Sequence, residues 1–265
     1  MENIEEAVRL EIKTDPEAVR RQAEWCGIRP GLRVLDAGCG PGKVTDALSR
    51  MIQPEGWILG VDYSDERIDH AQEHYGNDPV TRFSLHDLRK PLTGMGPFDF
   101  IWARFVLEYN LETSVDIVRN LHATLAPGGT LCLLDLDHNC LSHYQLPPQM
   151  EKVLFELMGL MERNFGFDAY VGRKLYAYLY DLGYLDIQVD MRPHHLFYGN
   201  MRQEDMFNWV KKVEVVTRRA PVLFDVYPGG HEGFFNDFRK FFLDPRRFTY
   251  TPLIMVKGTK PPSAE

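Results

Sequence analysis

Three glycines spaced by single residues, Gly38, Gly40 and Gly42, follow the run Val34-Leu35-Asp36-Ala37. Lacking Cβ, such positions let the backbone take positive φ and approach a ligand closely, and a helix start just behind them favours an anionic group. A second acid, Asp62, closes the apolar segment Ile58-Leu59-Gly60-Val61 and stands 20 residues beyond Gly42. At that spacing a carboxylate reaches ribose hydroxyls, its two oxygens accepting from two adjacent donors. The chemistry so specified is the holding of a nucleoside-containing cofactor. The plain structural alternatives are a tight turn for the glycines and a helix N-cap for Asp62, a duty that Ser64 can also perform for a helix over residues 65–75.

The elements that would position these groups follow from periodicity. Val34 and Leu35 have the character of a buried parallel strand, and Val44, Ala47, Leu48 and Met51 return at helical spacing, so a strand, a glycine turn and a helix run in order. A second strand covers residues 58–62. A third, 81–85, ends near Asp87; a fourth, 98–103, follows the turn Gly94-Met95-Gly96-Pro97; a fifth, 130–136, follows Pro127-Gly128-Gly129.

In this order the segments resemble the class I S-adenosylmethionine-dependent methyltransferase family. The resemblance rests on Val34 to Gly42, Val61-Asp62-Tyr63-Ser64, His86-Asp87-Leu88, Phe98-Asp99-Phe100-Ile101 and Leu125-Ala126-Pro127-Gly128-Gly129-Thr130. It implies an α/β fold: a doubly wound, mostly parallel seven-stranded sheet whose last strand is antiparallel, with helical cap insertions. It also implies S-adenosyl-L-methionine as cofactor. On that resemblance the loop Gly38-Cys39-Gly40 and the helix start suit the methionine carboxylate, and Asp36 sits near the methionine ammonium. Asp62 then holds the ribose, Tyr63 lies against the adenosine, Asp87 accepts from the adenine amino group beside the Leu88 backbone, and Arg104 with its neighbours lines the methionine end. Each acid and Arg104 also has an ordinary loop or salt-bridge reading.

Methyl transfer is an in-line displacement, so holding the acceptor at near-attack distance with water excluded is the main task. A general base helps when the acceptor proton must leave, and histidine suits that role near neutral pH. His138, directly after the fifth strand, is the catalytic candidate; Glu108 and Tyr109 follow the fourth strand, and His143, His194, His195 and His231 lie in or near the inserts. The Asn-Pro-Pro-Tyr segment of relatives that methylate planar amides or base amines is replaced by Ala103-Arg104-Phe105-Val106. Asp135, Asp137 and Asn139 alternate in a way that would set oxygen ligands on one strand face, but read as strand-end polar groups, and no metal is expected.

The expected organisation is a helical cover over 1–29, a cofactor-binding core over 30–136, a helical insert over 137–171, a core helix and strand over 172–190, a helical substrate cap over 191–247, a final strand over 248–258 and a flexible tail over 259–265. The two inserts are rich in aromatic and sulfur side chains, among them Phe155, Met158, Trp209, Phe224, Phe234 and Phe238. Inserts beyond strand carboxyl ends roof a ligand site, so a small, partly apolar organic acceptor of O, N or C type is expected, although most of these side chains also serve as ordinary core.

A formal charge of −8 argues against a phosphate-backbone surface, and Arg218-Arg219 and Arg246-Arg247 are too short to reverse it. No apolar run reaches the ~20 residues of a membrane-spanning helix, and Met1-Glu2-Asn3-Ile4-Glu5-Glu6 lacks the order of a signal peptide. A cytoplasmic monomer or homodimer, without nucleic-acid or membrane partners, is the expectation. The four cysteines, Cys26, Cys39, Cys132 and Cys140, show neither C-x-x-C pairs nor zinc spacing and read as reduced thiols, with Cys39 open to a lowered pKa at the helix start. Two rival functions stay open: a non-catalytic S-adenosylmethionine-binding module, and an NAD-dependent oxidoreductase, whose G-x-G-x-x-G phase differs from the G-x-G-x-G found here.

Overall fold

The computed structural model describes residues 14–139, 141–217 and 221–262. The helix expected around Ile4-Ala7-Leu10, Cys140, the pair Arg218-Arg219 and residues 263–265 lie outside the described residues.

The first described helix, α1 (Pro16–Cys26), has Asp15 accepting from the Glu17 amide at its start and Gly27 in a left-handed conformation at its end; it buries Val19, Gln22, Ala23 and Cys26. Strand β1 (Arg33–Ala37) then leads through the glycine loop into α2 (Lys43–Ile52), followed by β2 (Trp57–Asp62), α3 (Asp65–Tyr75) and β3 (Thr81–Leu85). Next come β4 (Phe98–Arg104), a 3-10 turn (Leu107–Tyr109), α4 (Ser114–Thr124) and β5 (Leu125–Leu136). The second half contains β6 (His143–Tyr144), α5 (Pro148–Phe165), α6 (Leu175–Asp181), β7 (Leu185–Tyr198), α7 (Gln203–Thr217), α8 (Gly230–Leu243) and β8 (Phe248–Thr259).

The sheet runs β3-β2-β1-β4-β5-β8, with β1 parallel to both β2 and β4 and β8 antiparallel to β5. Strand order therefore reverses at β1, and the crevice beyond the carboxyl ends of β1, β2 and β4 is where an open α/β sheet takes a ligand. Both faces are covered. One apolar layer joins Leu35, Ala37, Val61, Phe98 and Ile101 to Leu121, Leu175 and Leu179; the other joins Val34, Ile58, Phe100 and Trp102 to Val19, Ala23, Leu48 and Ile52.

Two features differ from the expected organisation. The sheet has eight strands, because β6 adds two residues on the β5 side of β8 while β7 takes the other side. Strand β7 also does not stop at Val189. It pairs with β8 out to Tyr198↔Phe248, past the point where β5 ends at Leu136↔Leu253, so the segment assigned to a helical cap begins as a strand. A register shift between Pro193 and His195 interrupts its alternation. The resulting β6-β7-β8 ledge projects beyond the carboxyl end of β5 and carries a third apolar core, in which α5, α7 and α8 bury Leu154, Trp209, Phe234, Phe238 and Phe242. Most of the insert aromatics thus hold the cap together, although Phe155 and Phe207 remain exposed.

Candidate functional site

The glycine loop folds back over the end of β2. The amides of Gly38 and Cys39 both donate to the Val61 carbonyl, at 2.8 and 2.9 Å; Gly40 N donates to Asp62 Oδ2 at 3.0 Å and Gly42 N to the Cys39 carbonyl at 3.2 Å. These amides are therefore used within the protein. Gly38 has φ +78°, and a Cβ there would lie 2.5 Å from Val106; at Gly40, φ +55°, a Cβ would meet nothing within 4 Å. The first glycine is demanded by packing, and the second is where the backbone is open to a bound molecule.

Behind the loop a buried acid and a partly buried guanidinium lie near one another. Asp36 is 2% exposed and accepts from Thr45 Oγ1 at 2.6 Å. Burial pushes its carboxyl up from 3.8 to about 7, against the opposing pull of the Thr45 hydroxyl and the Arg104 charge. Arg104 donates Nε to Gln22 Oε1 at 3.1 Å and lies with its guanidinium 4.1 Å from the Phe105 ring centroid. Burial pulls it down to about 10, with Asp36 and Asp135 acting in the opposite sense. A buried acid beside a partly buried guanidinium is complementary to a zwitterion. The Cys39 thiol is pushed well up by burial and by the charges of Asp36 and Asp62, so the lowering open to it at a helix start does not occur.

Asp62, 4% exposed, accepts from the Gly40 amide, from the Ser64 amide at 3.1 Å and from Arg67 Nη1 at 3.4 Å. Ser64, not Asp62, caps α3, through the Arg67 amide. A carboxylate has about four lone-pair positions, so two ribose hydroxyls fit once the long Arg67 contact yields. Tyr63 is half exposed beside it, with Arg67 against its ring. Asp87 forms a bidentate pair with Arg89 at 2.8 and 2.9 Å, which holds its carboxyl below the usual range, and the Leu88 carbonyl accepts from Asn120 at 2.9 Å.

At the ends of β4 and β5 the chain twice takes a left-handed conformation at a residue other than glycine: Phe105 at φ +59° and His138 at φ +50°. Such conformations cost about 1–3 kcal/mol and collect at ligand sites. The His138 ring packs edge-on against Tyr170 at 5.1 Å. The carboxylates nearby serve other partners: Asp135 accepts the amides of Leu107, Glu108 and Leu136, Glu108 accepts from Asn139 Nδ2 at 3.0 Å, and Asp137 pairs with Arg173 at 2.8 Å. Asp135, Asp137 and Asn139 thus point to separate duties, and no cluster of three or more potential metal-ligating His, Cys, Asp or Glu occurs among the described residues. Sequence reasoning missed Gln22 and Thr45, whose only signal is a polar residue on an otherwise buried helical stripe.

Fold and site together define a class: a doubly wound α/β protein with a glycine loop and two buried acids, Asp36 and Asp62, at its switch point. Residues 34–129 match the methyltransferase-domain family. A trans-aconitate 2-methyltransferase of Delftia acidovorans is 31% identical over 141 residues, covering 52% of this chain and 47% of that protein. The chain spans about a third to a half of the length of the curated relatives it matches. Among solved structures, a provisional methyltransferase of Bacillus halodurans superposes with a TM-score of 0.61 over 92% of this chain and 99% of its own, at 16% identity. A phosphoethanolamine N-methyltransferase of Haemonchus contortus, with S-adenosylhomocysteine bound, gives 0.57 over 92% of this chain and 52% of its own, at 17% identity; both establish the fold alone. The methyltransferase-domain match thus spans the glycine loop through the turn Pro127-Gly128-Gly129, the cofactor side of the sheet. No helix among the described residues is long and apolar enough to cross a membrane.

Proposed function

We propose that the protein transfers a methyl group from S-adenosyl-L-methionine to an oxygen, nitrogen or carbon nucleophile of a small, partly apolar organic molecule. The observation that carries this reading is the buried Asp36, held by the Thr45 hydroxyl, with Arg104 near it behind a glycine loop, at the strand ends where the sheet order reverses. Asp36 would take the cofactor's ammonium and Arg104 its carboxylate, Asp62 the ribose hydroxyls, and Tyr63 the flank of the adenosine; Gly38, Cys39 and Gly40 shape the loop beneath. Asp87 and the Leu88 backbone would border the adenine, with Arg89 sharing the Asp87 carboxylate. The bound sulfonium supplies an electrophilic methyl group. The protein's share is to orient the acceptor in line with that methyl and exclude water. His138, held in a strained backbone at the end of β5 and packed edge-on against Tyr170, would take a proton from the acceptor. The cap over the β6-β7-β8 ledge supplies the apolar enclosure. The G-x-G-x-G phase and the methyltransferase-domain match leave the oxidoreductase reading without support.

The test has two arms. Calorimetry should detect binding of S-adenosylhomocysteine and none of NAD, with Asp62→Ala weakening the former. A labelled-methyl screen over small phenols, amines and carboxylic acids should then find an acceptor. Binding without transfer to any acceptor would favour the non-catalytic module; no binding would end the proposal.

A further inference from the structure

Beyond the cofactor crevice, one charge in the cap stands alone. Arg247, immediately before β8, is 2% exposed, and its Nε, Nη1 and Nη2 have no hydrogen-bond partner among the described residues. Asp244, whose charge acts on Arg247 without a hydrogen bond to its guanidinium, accepts instead from Arg246 at 2.9 and 3.2 Å. The Phe242 ring lies 5.8 Å from the guanidinium, which leaves the N–H donors unsatisfied. A guanidinium presents a rigid fork of donors matched to a carboxylate, and a buried charge without a counter-ion is among the most costly arrangements a fold can keep. Burial accordingly pulls the Arg247 pKa down.

Its surroundings are those of a binding floor. Alternation along β8 puts Arg247 on the same face as Thr249 and Thr251, both fully buried. Their hydroxyls lie 2.9 Å from His143 Nδ1 and 3.4 Å from His195 Nδ1. A continuous line of rings then leads back to the cofactor crevice: Phe242 to Trp209 at 5.1 Å, Trp209 to His195 at 5.3 Å, His195 to His194 at 4.3 Å and His194 to Phe105 at 4.9 Å, where Phe105 adjoins Arg104.

We propose that Arg247 anchors a carboxylate on the methyl acceptor, which lies along this aromatic line as a small organic acid with a planar apolar body. The assignment rests on the methyl-transfer function proposed above and deepens it. The accepting atom is then at the Phe105 end and the anion at the Arg247 end.

The test uses the full chain saturated with S-adenosylhomocysteine, whose binding is first measured by calorimetry for the wild type and for Arg247→Met. Equal cofactor affinity in the two is expected, because Arg247 lies outside the cofactor crevice; absence of cofactor binding in the wild type would instead end the methyltransferase reading. Each protein is then melted alone and with millimolar phenylacetate, cinnamate, phenylacetamide, cinnamamide and phenyl phosphate. Arg247→Met alone should melt at the wild-type temperature or above it. At least one carboxylate should raise the wild-type midpoint by about 2 °C or more, its amide should not, and the shift should vanish in Arg247→Met. The assignment is overturned if Arg247→Met melts several degrees lower, if amides act as well as acids, if only the phosphate ester acts, if the variant keeps the shift, or if no acid in the panel acts.

Discussion

Asp36 carries the residue-scale consequence with the clearest sign. Its folded-state pKa, about 7, lies above its ordinary value of 3.8. The ligand-free protein therefore holds a proton there that the unfolded chain releases, and stability falls as pH rises from about 4 through about 7. A bound ammonium reverses the preference and drives that proton off. Calorimetry of S-adenosylhomocysteine at pH 6 in buffers of different ionisation enthalpy should show proton release, absent in Asp36→Asn. That variant should also bind about 10- to 100-fold more weakly, the loss expected of a charge-assisted hydrogen bond. Asp36, Asp62 and the glycines stand out in the sequence because their spacing is local and each lies at or just past the end of a strand. Gln22 does not: its partner Arg104 is 82 residues away, and no periodicity links them. The joint commitments of Glu108, Asp135 and Asn139, 27 and 31 residues apart, were hidden for the same reason.

At the scale of elements, the loop and the cap invite opposite experiments. Gly38→Ala would drive a Cβ into Val106 and demand a left-handed alanine, so denaturant unfolding should show a loss of about 1–3 kcal/mol. Gly40→Ala has open space before it; its stability should fall by no more than about 1–2 kcal/mol while cofactor affinity drops sharply, measured by the same titration. In the cap, Phe238 is 1% exposed between Phe234 and Phe242, and Phe238→Ala should cost about 3–5 kcal/mol in the same unfolding measurement. The first five strands and the helix after the glycine loop were readable from runs of apolar residues bounded by turns. Strand β7 was not readable past Val189, because Pro193 and the register shift at His194 break the alternation on which a strand is recognised, and Met191, Leu196 and Tyr198 face solvent along the edge. Cap helices were expected near their observed places, yet the ledge beneath them has no local signature, since its short strand β6 has only two residues.

For the whole molecule, the three apolar cores set how binding is felt. The two layers flanking the sheet include Val106 and Phe105, beside the loop and the Arg104 end of the crevice. A ligand that fills the crevice should therefore stabilise the sheet as a unit. By linkage, S-adenosylhomocysteine at a hundred times its Kd should add about 2.7 kcal/mol, raising Tm by about 5–10 °C for a domain of this size; a shift smaller than about 2 °C at that saturation would contradict binding to the native state alone. The doubly wound fold was legible from the order of motifs, whereas the eighth strand and the division of the cap from the sheet depend on pairings between segments 50 or more residues apart, such as Tyr198 with Phe248.

Strand β8 belongs to two compartments at once. Its later residues, Leu253 and Met255, are packed into the sheet's own layer, while its opening residues carry Thr249 and Thr251 beneath the cap. A girder fixed at one end and loaded at the other transmits tilt. Any rocking of the cap that admits or releases a guest must therefore be absorbed by the helices and their linkers, since the shared beam cannot swing without prising open the ladder that binds it to β5.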